Sequence, residues 1–482
     1  MEKENLYDNG YLRNITIFFL VLIVLFSFLY KANDIVCLYL IASIFALGSL
    51  ISVKQYFIAL VFFSFLHGLK VDFNNITIRP EQIGLLFLPF ILRKVSFFKT
   101  PLDLPLAIFL FLNLFSSIFF SPIKALSLRK VALLAMYISF YFVIVNFIFS
   151  LNKHDLKIRR IIQLFLCLGI SAVLFGVVSL LFSRVFGLVL FGVDRILAYH
   201  FIDGQGGVIY RIFATMQEPN IYGSTCCFFA LVFFGLFISR RLGLKEYSVL
   251  ILLGLEISLL GLLFSYTRGA WLAYLLGVII LSIILKLLRL KYSTFLKDCF
   301  LVSFVFSTIV AIWFILDKEI FSGYKLKFWS MFGYYTGTGW DRIWAWSTVL
   351  KDIKFDLQLF FGHGTQAHLN LFHIYEDIEV LGIGNFFLDT LHSTGIIGLS
   401  CLIWIHVILI KLMWKVFIEA RSRLLKNMIL ITFVSCLCLT IAYQFTQGYW
   451  LSFPWILMAL IVAFSLLTLN KLEKYKSVPI KL

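Results

Sequence analysis

Apolar runs long enough to cross a bilayer recur along the whole chain, and they restrict its fold more than any other feature. A backbone in hydrocarbon has no water to bond to, so only helices and closed barrels can span. Runs of about 20 apolar residues suit helices, whereas barrel strands alternate over about 10. Fourteen such runs fall at roughly 14–30, 34–52, 55–68, 81–93, 104–121, 131–150, 160–186, 221–240, 247–265, 269–288, 298–316, 386–413, 427–446 and 450–469. The third and fourth are short for a full span, and they read as thin spans or a re-entrant pair. With 61% hydrophobic and 14% charged residues, no soluble domain of this size fits. The expectation is an all-α integral membrane protein, a single polytopic domain over 1–482, with about 14 transmembrane helices (12–14). The first run follows a charged start, MEKENLYDNGYLR, with no small-residue cleavage site, and it reads as a retained helix.

A net charge of +17 could point to nucleic acid. Here the basic residues stand in short clusters between apolar runs, which is the positive-inside pattern of a membrane protein. The clusters at 93–99, 153–160, 240–245, 286–297 and 411–426 fall on one side under a fourteen-span count, and with both termini they hold most of the 42 basic residues. Both termini are therefore expected in the cytoplasm. Two large loops, 187–220 and 317–385, are expected to face outward. All eight cysteines lie in or at the edge of apolar runs, so neither a disulfide framework nor a zinc site is indicated.

The outward side holds the candidate chemistry. YRIFATMQEPNIYG (Tyr210–Gly223) leads into the eighth span, and SYTRGAW (Ser265–Trp271) turns into the tenth. WDRIWAW and FGHG (Phe361–Gly364) lie in the second large loop, and Asn385–Gly398 leads into the twelfth span. Helix N-termini that point outward offer free N–H groups and partial positive charge to an anion. Pro219 suits a first helical turn, and Asn220 can cap nearby N–H groups. Arg342 opens a helical pattern with Ile343, Trp346, Val349, Leu350 and Ile353 on one apolar face and Asp341 as cap. Arg211, Arg268 and Arg342 all stand in outward turns, where arginine should be scarce. Their guanidinium forks match a di-anionic ligand such as a pyrophosphate. Trp340, Trp344 and Trp346 can stack on sugar rings or sit in the interfacial belt. His363, His368, His373 and His392 show no i, i+4 metal pairing, so no metal site is expected.

Taken together, these motifs resemble the O-antigen polymerase/ligase superfamily of bacterial envelopes. The resemblance covers roughly 205–400 and rests on the run from Arg211 to Gly223, Ser265–Gly269, Arg342–Trp346, Phe361–Gly364 and Asn385–Gly398. It implies a GT-C-like helical membrane fold in the bacterial inner membrane and a metal-independent glycosyltransferase without cofactors. It also implies a donor linked to undecaprenyl pyrophosphate, with membrane lipid, a chain-length regulator protein and no nucleic acid as partners. The ligase pattern carries a histidine immediately before the Asn of the last motif, where this chain has Gly384. That difference favours polymerase over ligase. A transporter would carry charge inside its spans, and here Glu256 and Asp389 are the main examples.

In the polymerase reading, a hydroxyl of one glycan attacks the anomeric carbon of another and the lipid pyrophosphate leaves. Arg211 and Arg342 neutralise the leaving group. Arg268 holds the second phosphate or orients the loops. Glu218 is the expected general base, with His392 as the alternative. Asn220, Trp340, Trp344, Trp346, His363 and Asn385 complete the expected substrate-binding set.

Overall fold

The computed structural model describes residues 2–66, 68–69, 71–73, 76–93, 97–150, 155–186, 199–202, 207–216, 218–239, 248–287, 297, 302, 305–311, 338–372, 383–419, 423–446 and 451–469. The described chain is almost entirely helical. Two short antiparallel hairpins, Val71–Phe73 with Ile76–Ile78 and Tyr199–Ile202 with Gly207–Tyr210, are the exceptions to an all-α reading. Both occupy stretches too polar to span, where a hairpin satisfies backbone groups locally.

Among the described residues, seven helices are long and apolar enough to cross a membrane, and five shorter apolar helices accompany them. Helix ends fall where local chemistry puts them. Asn33 Oδ1 accepts from Val36 N at 3.0 Å and opens the Asp34–Ile51 helix. Ser52 Oγ accepts from Gln55 N at 3.2 Å and opens Val53–Ser64. Side-chain oxygens of this kind satisfy donors that a helix start leaves unpaired. The apolar run at 81–93 is not one span. It forms two short helices, Pro80–Leu86 and Leu88–Leu92, because Pro89 lacks the N–H that a continuous helix needs and instead suits a first turn. Most of the run at 298–316 lies outside the described residues.

Several helices present apolar side chains outward. Leu272, Leu275, Ile279 and Ile283 are each about half exposed along one stripe of the Arg268–Leu287 helix. Such a stripe costs free energy in water and none in lipid. The fold is that of a membrane protein.

The chain divides into two compact units. The first comprises Met1–Val95, Leu151–Phe328 and Ala420–Ala442. Its centre is the Pro219–Ser239 helix, which is buried along its length and packed by Ser248–Phe264, Arg268–Leu287 and Arg423–Ala442. The second comprises Ser96–Ser150, Trp329–Glu419 and Tyr443–Leu482. Its longest helix, Phe386–Glu419, packs on Asp103–Phe119 and Ser452–Thr468, and the latter packs on Lys124–Ser150. Each unit carries one group of the motif residues.

Candidate functional site

In the first unit, folding joins the two motifs that stand more than 50 positions apart in sequence. Arg211 leaves the second hairpin and is 6% exposed. Its Nε donates to Ser265 O at 2.8 Å, and its Nη2 donates to Asn220 Oδ1 at 2.8 Å and Thr267 Oγ1 at 3.3 Å. Thr267 Oγ1 in turn donates to Pro219 O at 3.0 Å. Arg211 therefore ties the start of the Pro219–Ser239 helix to the Ser265–Thr267 turn. The amide oxygen of Asn220 receives a guanidinium, so it is not the helix cap that its residue type suggests. Glu218 holds the position before the helix, and its carbonyl accepts from Tyr222 N at 3.1 Å. Gly223 lets the helix approach closely, since a side chain there would stand 2.5 Å from Ser265 Oγ. Arg268 is half-buried and opens its helix as expected.

The second unit holds the other group. The Thr338–Asp352 helix begins before Arg342, so Asp341 lies inside it and is not its cap. Its buried face matches the expected one only at Val349 and, in part, Trp346. Ala345 and Val349 are fully buried with Phe372 and Ile383, while Ile343 and Leu350 are more than half exposed. The two tryptophans flank that face. Trp344 packs on Phe372 with ring centroids 5.6 Å apart, and Trp346 Nε1 donates to Ile383 O at 2.8 Å. Each is thus committed on one side to protein packing. Trp340 lies in the first turn, with its side chain outside the described residues, as is His373. Arg342 is half-buried, with its guanidinium 5.9 Å from the centre of the Phe445 ring. A side chain at Gly384 would start 3.8 Å from Arg342 Nε. Asn385 caps the next helix, with Oδ1 accepting from Leu388 N at 2.9 Å.

The same unit gathers an acid–imidazole cluster. The Phe386–Glu419 helix is broken at Gly395, where φ is 68°. A break there deprives the carbonyls of His392 and Ser393 of their helical donors. The FGHG loop replaces them: His363 N donates to His392 O at 2.8 Å, and Gly364 N donates to Ser393 O at 3.1 Å. Ser116 Oγ also donates to Ser393 O at 2.7 Å. The Asp103–Phe119 helix holds the loop through a buried polar row, with Thr365 N bonded to Ser117 Oγ at 3.2 Å and Thr365 Oγ1 to Asn113 Oδ1 at 3.1 Å.

This scaffold places His363 and His392 with their rings parallel and 4.6 Å apart. Asp352, the last residue of its helix, receives both. Its Oδ2 lies 3.0 Å from His392 Nε2 and 3.4 Å from His363 Nε2. Behind them His368 Nδ1 lies 3.6 Å from Asp389 Oδ1. The hydrogen bond from His392, with His363 beside it, holds the Asp352 carboxyl below its ordinary range. Burial lowers His363, as does the neighbouring His392, and burial pushes His368 down to about 4. At neutral pH the cluster holds an ionised carboxylate, with His363 and His368 uncharged. Asp352 is 26% exposed and His363 12%, whereas His392 is 0% exposed. The alternative base His392 is thus fully enclosed, with its Nε2 turned to Asp352. Asp352 is the most exposed of the three.

Asp352, His368 and the Asn113–Ser116–Ser117 row carry no motif in the sequence. The row had a signal, since three polar residues at i, i+3 and i+4 in an apolar helix share one face. Asp352 had none, because its partners come from segments 11 and 40 residues away. No family model matches the chain, and no curated protein matches it.

Proposed function

We propose that this chain is a surface-polysaccharide polymerase of the bacterial inner membrane. It joins repeat units carried on undecaprenyl pyrophosphate at the outer face. The reading includes about 14 spans in a GT-C-like fold, outward loops at 187–220 and 317–385, and cytoplasmic termini. The observation that carries it is the carboxylate–imidazole cluster at one end of the helix that bears Arg342. Ten residues of helix separate Arg342 from Asp352, about 15 Å along the axis at 1.5 Å per residue. Glycosyl transfer needs a base for the attacking hydroxyl and a cation for the departing phosphate on opposite sides of the sugar.

In this mechanism Asp352 takes the proton of the acceptor hydroxyl as that oxygen bonds to the anomeric carbon. The bond from that carbon to the pyrophosphate breaks, and the electron pair leaves with the lipid pyrophosphate. Arg342 meets the developing charge, with guanidinium matching phosphate oxygens in pairs. His392 and His363 hold the carboxylate ionised and in place. In the first unit, Arg211 ties down the turn from which Arg268 opens its helix. No step uses a metal. Membrane lipid and a chain-length regulator are the partners, and no nucleic acid is involved.

The purified protein, given only lipid-linked repeat units, is expected to make lengthening chains. A null strain should carry lipid A–core or capsule carrier with at most one repeat unit. Long polymer that persists on undecaprenyl pyrophosphate in the null strain, together with a need for lipid A–core in vitro, would establish a ligase instead.

A further inference from the structure

We propose that Asp352, His363 and His392 form a binding site for one divalent transition-metal ion of the zinc class. One donor atom from each of the three residues lies within 4.8 Å of the other two. The two pairs that involve Asp352 are 3.0 and 3.4 Å apart. Zinc takes nitrogen and oxygen ligands at about 2.0–2.2 Å, so donors around one ion stand about 3–4 Å from each other. To close on an ion the widest pair, within 4.8 Å, must contract and the two parallel imidazole rings, 4.6 Å apart, must tilt toward each other.

The donors are also held in advance. They come from a helix end, a glycine loop and a broken helix. The last two are joined by the His363 N to His392 O bond of 2.8 Å. Gly362 and Gly395 lock that junction. A side chain at Gly362 would stand 2.3 Å from the Ser393 carbonyl carbon, and one at Gly395 would stand 2.3 Å from the Phe360 carbonyl. Two imidazoles and one carboxylate select zinc or cobalt over magnesium and calcium, which require oxygen shells. Such a three-ligand set leaves a fourth position open. Neither His363 Nδ1 nor His392 Nδ1 has a hydrogen-bond partner among the described residues. Outer partners of that kind usually add about 10–100-fold in affinity. This site should therefore bind more weakly than a structural zinc site.

An ion held here occupies the carboxylate that the transfer reaction uses. Zinc loading should then inhibit polymerisation, a consequence that rests on the function proposed above, whereas the binding itself does not.

The test is cobalt titration of the full-length, metal-stripped protein in detergent, read by visible absorption and by metal content. The expected result is one Co2+ per chain with a four-coordinate spectrum, displaced by Zn2+ and unaffected by excess Mg2+. His363→Gln and Asp352→Asn should each weaken binding at least 10-fold, with thermal midpoints near wild type to show that the fold persists. Equal cobalt affinity in wild type and both variants, or a solvent-like six-coordinate spectrum, would overturn the site. Transfer activity without cobalt binding overturns the metal site alone. Cobalt binding without transfer activity overturns the polymerase reading alone.

Discussion

In the proposed reaction Asp352 and Arg342 carry the chemistry, and each has its own signature. A positioned general base contributes about 10²–10⁴-fold. Asp352→Asn keeps the shape of the side chain and removes the ionised acceptor, so turnover should fall by about that factor with little change in KM. His392→Gln should cost less, because the glutamine amide can still donate to Asp352. Equal losses in the two variants would assign the base to His392. Arg342→Ala removes one charge-stabilising group, an effect of about 10²–10³ in turnover. Arg342→Lys should recover little of it, since a point charge lacks the two-pronged match to phosphate. Wild-type polymer from both Arg342 variants at wild-type protein levels would remove this arginine from the mechanism. The identities of these residues are all visible in the sequence, where Arg342 and His392 stand out and Asp352 does not.

At the scale of elements, the site depends on one broken helix and the loop that repairs it. The FGHG and STG segments press backbone against backbone, and Gly362 and Gly395 both adopt positive φ. Alanine at Gly395 meets two costs, a left-handed conformation of about 1–2 kcal/mol and an overpacking penalty of about 1–3 kcal/mol. Gly384 also has positive φ, at 61°, but has open space around it, with Arg342 Nε 3.8 Å away as the nearest atom. Gly384→Ala should therefore lower the thermal midpoint of the detergent-purified protein only slightly, and Gly395→Ala or Gly362→Ala clearly more. If all three shift alike, the close backbone approach is not what these glycines serve. The sequence marked FGHG and the glycines after Asn385 as noteworthy without saying that they touch. Their contact depends on a helix break that no local pattern announces.

For the whole molecule, the placement of the membrane decides whether the proposed chemistry is reachable by lipid-linked sugars. Short basic loops are retained in the cytoplasm. Reporter fusions after Gly243 and after Gly333, both outside the described residues, should read inside and outside respectively. The same side for both would reverse or break the proposed topology. The helix boundaries follow the apolar runs. Runs expected at 34–52, 104–121 and 247–265 become helices at Asp34–Ile51, Asp103–Phe119 and Ser248–Phe264.

What the sequence determined by itself is the helical membrane architecture, because a backbone in hydrocarbon must bond to itself and that demand is written residue by residue in apolar runs. It also determined local features such as Pro219 opening its helix. Tertiary structure alone decided which polar groups meet. Arg211 is bound by a turn 54 residues away, His392 by an aspartate 40 residues away, and Ser393 by a serine 277 residues away. Hydrophobic burial fixes which helices pack and in what register, and it acts on whole faces and not on motifs. The polar atoms it encloses then pair with whatever donors and acceptors the packing brings within reach, because leaving them unpaired costs more than almost any local preference.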